Sequence, residues 1–277
     1  MPLKSTILAL NPTSYWPLDD APGSPFCVDA MGLKNACLPA SGVTLAAVPF
    51  GACSAPLFDG EIGSRLTIAS VPQYSQPFAN ALTVAVWICP LSLDNANTAG
   101  KAGEDQYVHF LEKAVTPDLD TEWAMRLYNQ DNPTRHSRLS FYVFNLRATT
   151  TNPMNKGAGS YMEFGVSHND VTPVTAGSWL FLVGEAEPWI CADDQTTGCI
   201  LWKQDVEAKR IKQDKYEYPE FQVQPKVGSG PLSVGGTAET GFNGAVAHLV
   251  IWNRLLSQDE IDSIWTQGDA DLGITST

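Results

Sequence analysis

Apolar residues fall on every second position in stretch after stretch of this chain, and that period of two constrains its fold more than any other feature. In ALTVAVWIC, Leu82, Val84, Val86 and Ile88 share one face. In TEWAMRLYN the same spacing groups Trp123, Met125 and Leu127, and in SRLSFYVFNL it groups Leu139, Phe141 and Val143. Side chains alternate across a strand, so each pattern describes a strand with one face turned to a core. RLTIASV, QYVHFLEKA, YMEFGVSH, SWLFLVGEAE, CILWKQDV and PLSVGG read as further strands. With 22 Gly and 19 Pro to make turns, and little helical periodicity, the pattern predicts an all-β, antiparallel two-sheet sandwich. Polar connections such as SLDNANTAGKAGED, RATTTNPMNKGAG and KRIKQDKYEYPEFQVQPKVGSG interrupt it, but no repeat or linker divides the chain. A single domain over 1–277 is the economical expectation.

One stretch departs from this pattern. In FNGAVAHLVIWNRLLSQDEIDSIW, a strand runs through Ala245–Trp252 and a helix follows at once. Ser257 is suited to cap that helix, and Glu260, three residues on, completes a capping box. Leu256 and Ile261 stand at the positions of a hydrophobic staple, and Asp259 and Glu260 suit the positive end of the helix dipole. Ile261, Ile264 and Trp265 give one apolar face, and Gly268 is placed to end the helix.

Charge and cysteine usage narrow the partners. Thirty acidic residues against seventeen basic give a formal net charge of −13, which repels phosphate backbones and argues against nucleic acid. The longest apolar run, ALTVAVWICPL, is too short to span a bilayer, so membrane insertion is not expected. MPLKSTILALNPTSYW lacks the features of a signal peptide, and synthesis in the cytoplasm follows as an expectation. Six cysteines leave fifteen pairings open. Cys191 and Cys199 bracket a polar loop that a disulfide would staple, Cys27, Cys37 and Cys53 cluster near the N-terminus, and Cys89 reads as a small core residue. No CxxC pair signals structural zinc.

The ordered series SYWPLDD, VDAMGLKNA, GVTLAAVPFGACSAPLFDG, LTVAVWICP, GSWLFLVGEAE and FNGAVAHLVIWNRLLSQDEIDSIW resembles the laminin G-like, concanavalin A-like jelly-roll family over nearly the whole chain. The resemblance implies a terminal strand beside the first strands and a short helix covering one end of the sandwich. It also implies a structural calcium ion near the rim, with Asp29 of the DxxGxxN-like segment and Asp59 of the FDG as ligands. Ala247-His248 stands where that family often has an acidic residue.

Catalysis is not expected. The paired carboxylates of the family's glucanase branch are missing, since Glu260 and Asp262 lie in the helix and Glu185 and Glu187 have no third acid. His109, His136, His168 and His248 sit in no recognisable arrangement with a nucleophile. Carbohydrate binding fits better, because sugars stack on aromatic faces and bond to nearby amides and carboxylates. Trp16, Trp87, Trp123, Trp179 and Trp252 fall within strand patterns and read as core, which leaves Trp189 and Tyr128 with Asn129 as the loop candidates. The wording GVTLAAVPFGA and AVAHLVIWNRLLS is most similar to jelly rolls of bacteriophage and prophage structural proteins. That resemblance implies a virion surface component, on capsid or tail, with virion structural proteins as partners and a cell-surface glycan as ligand. The alternative is an extracellular bacterial lectin-like module, with a polysaccharide-degrading enzyme more remote.

Overall fold

The computed structural model describes residues 2–32, 37–96, 107–115, 121–132, 136–144, 174–187, 201–203 and 225–273, and the backbone alone of 97, 157–162, 199–200 and 209–212. A helix α1 (Leu3–Ala9) is followed by β1 (Ser14–Trp16), β2 (Cys37–Pro39), β3 (Val43–Phe50), β4 (Cys53–Asp59), β5 (Leu66–Ile68) and β6 (Leu82–Pro90). Next come β7 (Ala96–Asn97), β8 (Tyr107–Ala114), β9 (Thr121–Tyr128), β10 (Leu139–Phe144), β11 (Gly157–Met162) and β12 (Leu180–Ala186). The chain closes with β13 (Cys199–Lys203), β14 (Lys209–Lys212), β15 (Leu232–Val234), β16 (Thr240–Gly241), β17 (Asn243–Trp252) and α2 (Gln258–Leu272).

Two antiparallel sheets form the expected sandwich. The first runs β14-β13-β12-β6-β17-β4-β3, with β1 also on β17, and the second runs β11-β10-β9-β8-β15-β5-β2. The alternating residues meet between them: Leu82, Val84, Val86 and Ile88 of β6 pack with Trp123, Met125 and Leu127 of β9 and Leu139, Phe141 and Val143 of β10. Gly184 on β12 leaves space for this contact, since a Cβ there would lie 2.6 Å from the Phe141 ring.

A second core lies on the opposite face of the first sheet. Ala85, Trp87 and Cys89 of β6, Phe181 and Val183 of β12, and Ala247, Val250 and Trp252 of β17 are covered by Leu3 and Ile7 of α1 and Ile261 and Ile264 of α2. Strand β6 is buried along its whole length for this reason. The closing helix therefore covers a sheet face, where the family resemblance implied an end of the sandwich. Sequence reading also missed α1, whose seven residues carry only the buried pair Leu3 and Ile7 on one face. Its Leu3 N–H donates to the Asp271 carboxylate at 2.8 Å, tying the two helices together.

The start of α2 is as expected. Ser257 Oγ accepts from Glu260 N–H, the Glu260 carboxylate accepts from Ser257 N–H, and Leu256 and Ile261 are both buried. Arg254 adds a bidentate pair to Glu260, at 2.8 and 2.7 Å, and this holds the Glu260 carboxyl down at about 2. Its end is not as expected. The helix continues through Gly268 to a left-handed Gly273 with φ 73°. Gly268 is there for close approach, because a Cβ would fall 2.0 Å from the Trp87 ring. Ser257→Ala is expected to cost about 1 kcal/mol, read as a lower unfolding midpoint at constant denaturant slope. An unchanged midpoint would refute the cap.

Other boundaries also moved. The strand expected at YMEFGVSH begins earlier, at Gly157, because GAGSYM supplies the partner of β10 from Phe144↔Gly157 to Leu139↔Met162. Part of the charged segment expected as a connection, KRIK, pairs with β13 as β14. Cys27 and Cys37 are buried and exchange both backbone hydrogen bonds, at 2.7 and 3.0 Å, while Cys53 is exposed and Cys89 is buried. Cys191 lies outside the described residues.

Candidate functional site

Strands β9 and β10 put every second side chain into the core, as does β8 apart from a bulge where Phe110 and Leu111 both turn inward, and the others form the outer face of the second sheet. There Arg126 of β9 lies in register with His109 of β8 and Ser140 of β10. Tyr107 and Tyr128 pair beside them, and Tyr142 and Phe144 continue the row on β10. Of these side chains only Arg126 and Tyr142 are half-buried, and the rest are buried.

The Arg126 guanidinium is surrounded by rings. It lies 4.6 Å from the Tyr107 centroid, 4.9 Å from Tyr142 and 5.5 Å from Phe144, all within range of cation–π attraction. Its Nε donates to His109 Nε2, and its Nη1 donates to the Tyr128 hydroxyl at 3.3 Å. A guanidinium can only donate, so His109 Nε2 must present its lone pair and the proton belongs on Nδ1. That nitrogen lies 3.0 Å from Glu112 Oε1, which also accepts from the Thr121 hydroxyl at 3.0 Å. Burial pushes the Glu112 carboxyl up, but His109, the Thr121 hydroxyl and the nearby Arg126 charge outweigh it and hold it below its ordinary value. The chain Thr121–Glu112–His109–Arg126–Tyr128 fixes the guanidinium from one side.

The expected sugar-binding residues take other roles where they are described. Tyr128 was expected on a loop, but it ends β9, is fully buried and meets Tyr107 edge-on at 5.6 Å, so it offers no free stacking face. Its hydroxyl orients Arg126 instead. Asn129 is committed to the Asn95 segment, accepting from Asn95 N–H at 3.0 Å and donating to Asn95 O at 3.0 Å. Trp189 lies outside the described residues.

Asp29 and Asp59, the expected calcium ligands, lie apart in the fold. Asp29 Oδ1 accepts from the N–H groups of Tyr15 and Met31 at 3.1 and 2.9 Å, a turn-holding role. Asp59 Oδ1 accepts from Glu61 N–H at 3.0 Å. Tyr15 pairs with Val250, whereas Asp59 pairs with Asn243 at the other end of β17. At about 3.3 Å per residue, these points are roughly 20 Å apart. Calcium ligands must lie about 2.3–2.6 Å from the ion, so the two cannot act together. Among the described residues no three His, Cys, Asp or Glu side chains are grouped to hold a metal.

Glu185 and His248 both hold structural hydrogen bonds. Glu185 is buried and accepts from Trp202 Nε1 at 2.7 Å, Leu256 N–H at 2.9 Å and the Thr83 hydroxyl at 3.3 Å, which anchors the lead-in to α2. His248 sits at a bulge in β17 with φ 50°, burial lowers it to about 4, and its Nδ1 meets the Tyr15 hydroxyl at 2.7 Å.

No protein-family model matches the chain, and no curated protein matches its sequence. Its fold, however, is similar to several solved structures. The binding domain of botulinum neurotoxin serotype D superposes with a TM-score of 0.59 at 10% identity, covering 94% of this chain and 52% of that one. The binding domain of Paraclostridial Mosquitocidal Protein 1 gives 0.57 at 11% identity, covering 91% and 51%. Trypanosoma rangeli sialidase gives 0.52 at 13% identity, covering 93% of this chain and 33% of the enzyme. The chain thus spans about half the length of the toxin domains and a third of the sialidase. These likenesses show a β-sandwich fold of the kind found in such proteins.

Proposed function

We propose that this chain is a carbohydrate-binding module, and that the outer face of β8–β10 receives the glycan. The carrying observation is Arg126, a half-buried guanidinium ringed by Tyr107, Tyr142 and Phe144 on one rigid sheet. Aromatic faces beside fixed donors are what a sugar ring and its hydroxyls need. The fold likeness supports the same reading, since one serotype D toxin structure is a complex with N-acetylneuraminic acid.

Binding is favoured over turnover by the site's own hydrogen bonds. His109 Nε2, the natural proton acceptor, is occupied by Arg126 Nε–H. Glu112, held below its ordinary value, is ionised at neutral pH and is a poor general acid. The setting we infer is a virion surface, on capsid or tail, supported by the similarity of GVTLAAVPFGA and AVAHLVIWNRLLS to phage structural jelly rolls. The test is an array of neutral and acidic glycans probed with the intact protein, followed by Tyr142→Ala. Binding that Tyr142→Ala weakens about tenfold, with melting unchanged, is expected for loss of one stacking ring. Failure of every glycan to bind would overturn the reading.

A further inference from the structure

We infer that the glycan bound here carries a carboxylate, received by Arg126 together with the Ser140 hydroxyl. The inference rests on the carbohydrate-binding reading and names the chemical class of its ligand.

Three observations support it. First, the Arg126 charge has no carboxylate partner within 4.0 Å among the described residues. Glu112 comes near enough to feel its charge, yet its Oε1 is taken up by His109 and Thr121. The rings of Tyr107, Tyr142 and Phe144 compensate a half-buried cation only in part, and an anion would do so more fully. Second, a guanidinium has five N–H donors, and among the described residues Arg126 uses one from Nε and one from Nη1, so three remain, two of them on Nη2. Third, Ser140 is the cross-strand neighbour of Arg126, 1% exposed, with an Oγ that has no hydrogen-bond partner among the described residues. A buried hydroxyl is seldom left unpaired without a reason. Directly opposed strand residues lie about 5 Å apart, so one carboxylate can accept from the guanidinium fork and from this hydroxyl.

The protein's net charge of −13 opposes an anionic ligand at long range. At physiological salt, charges beyond a screening length of about 8 Å contribute little, and local donors decide.

The test compares a sialylated oligosaccharide, its carboxyl methyl ester, the asialo oligosaccharide, an oligogalacturonate and sodium acetate, by titration calorimetry on the intact protein. At least one acidic sugar is expected to bind about ten- to a hundredfold tighter than its neutral counterpart, the range for one charge-assisted contact. Arg126→Gln should remove that advantage, so that the acidic sugar and its ester bind alike, with melting followed as a fold control. The ester comparison needs no variant, so it decides even if Arg126→Gln unfolds. Equal binding of acid and ester would overturn the carboxylate inference while leaving a neutral-glycan module standing. Acetate competing as well as the acidic sugars would overturn it too, since the site would then hold a bare anion. No binding by any sugar would overturn the carbohydrate reading itself.

Discussion

Replacing Lys113 with Met is expected to destabilise the protein by about 3–5 kcal/mol, the usual result of removing one partner of a buried ion pair. Lys113 is fully buried and its ammonium donates to Glu122, with Ser70 Oγ and Gly230 O each at 3.2 Å and Gly228 O at 3.4 Å. One cation thus joins β8 to β9, to the segment leading into β15 and to the turn after β5. Glu122 depends on it heavily, because its second oxygen is buried with no hydrogen bond among the described residues. Taking the cation away leaves a carboxylate 3% exposed with no balancing cation among the described residues. Lys113→Met keeps most of the volume, so the loss measures charge and not a cavity. The double variant Lys113→Met, Glu122→Leu should recover much of the deficit, since an apolar pair of similar size often replaces a buried ion pair at little cost. Urea unfolding of the two single variants and the double closes the cycle. A single-variant loss below about 1 kcal/mol, the worth of an exposed pair, would show that water reaches this site.

The parts of the fold that were legible in the sequence are those governed by burial on one face. Leu82, Val84, Val86 and Ile88 announce an inward strand face because water penalises any other arrangement, and the capping box at Ser257 and Glu260 is purely local. Arg126 was not legible, although its strand was. A reading by alternation keeps the apolar half of TEWAMRLYN and passes over the other half. The useful signal was in that other half, where Tyr107 and His109 on β8, Arg126 on β9 and Tyr142 on β10 recur on the opposite parity. Grouping them needs the register between strands, which long-range packing sets. Gly268 was misread for a related reason: a helical Gly can mark a stop or a close approach, and only the position of Trp87 tells them apart. Tyr128 looked like a loop residue because NQDN follows it, yet its own position still pairs with Tyr107.

Trp87→Ala is expected to cost about 3–5 kcal/mol, the range for emptying a large buried site. Its indole is fully buried in the second core, edge-on to Phe50 at 5.4 Å and stacked on Phe181 at 5.0 Å. Losing it opens a cavity between the first sheet and α2, so the helix should be released early, seen as loss of amide protection across 258–272 before global unfolding. Trp87→Phe should be milder, because the Trp87 Nε1 has no hydrogen-bond partner to lose among the described residues. The sharpest check uses Gly268. A methyl there would sit 2.0 Å from the Trp87 ring, so Gly268→Ala alone forces the helix away from the sheet and destabilises. In the Trp87→Ala background the same methyl enters the emptied space, and helix propensity favours Ala over Gly by about 1 kcal/mol. Gly268→Ala should therefore change sign, destabilising in the native background and stabilising in the cavity variant. Strict additivity of the two substitutions would mean that α2 does not rest on Trp87, and that the second core is held by other contacts.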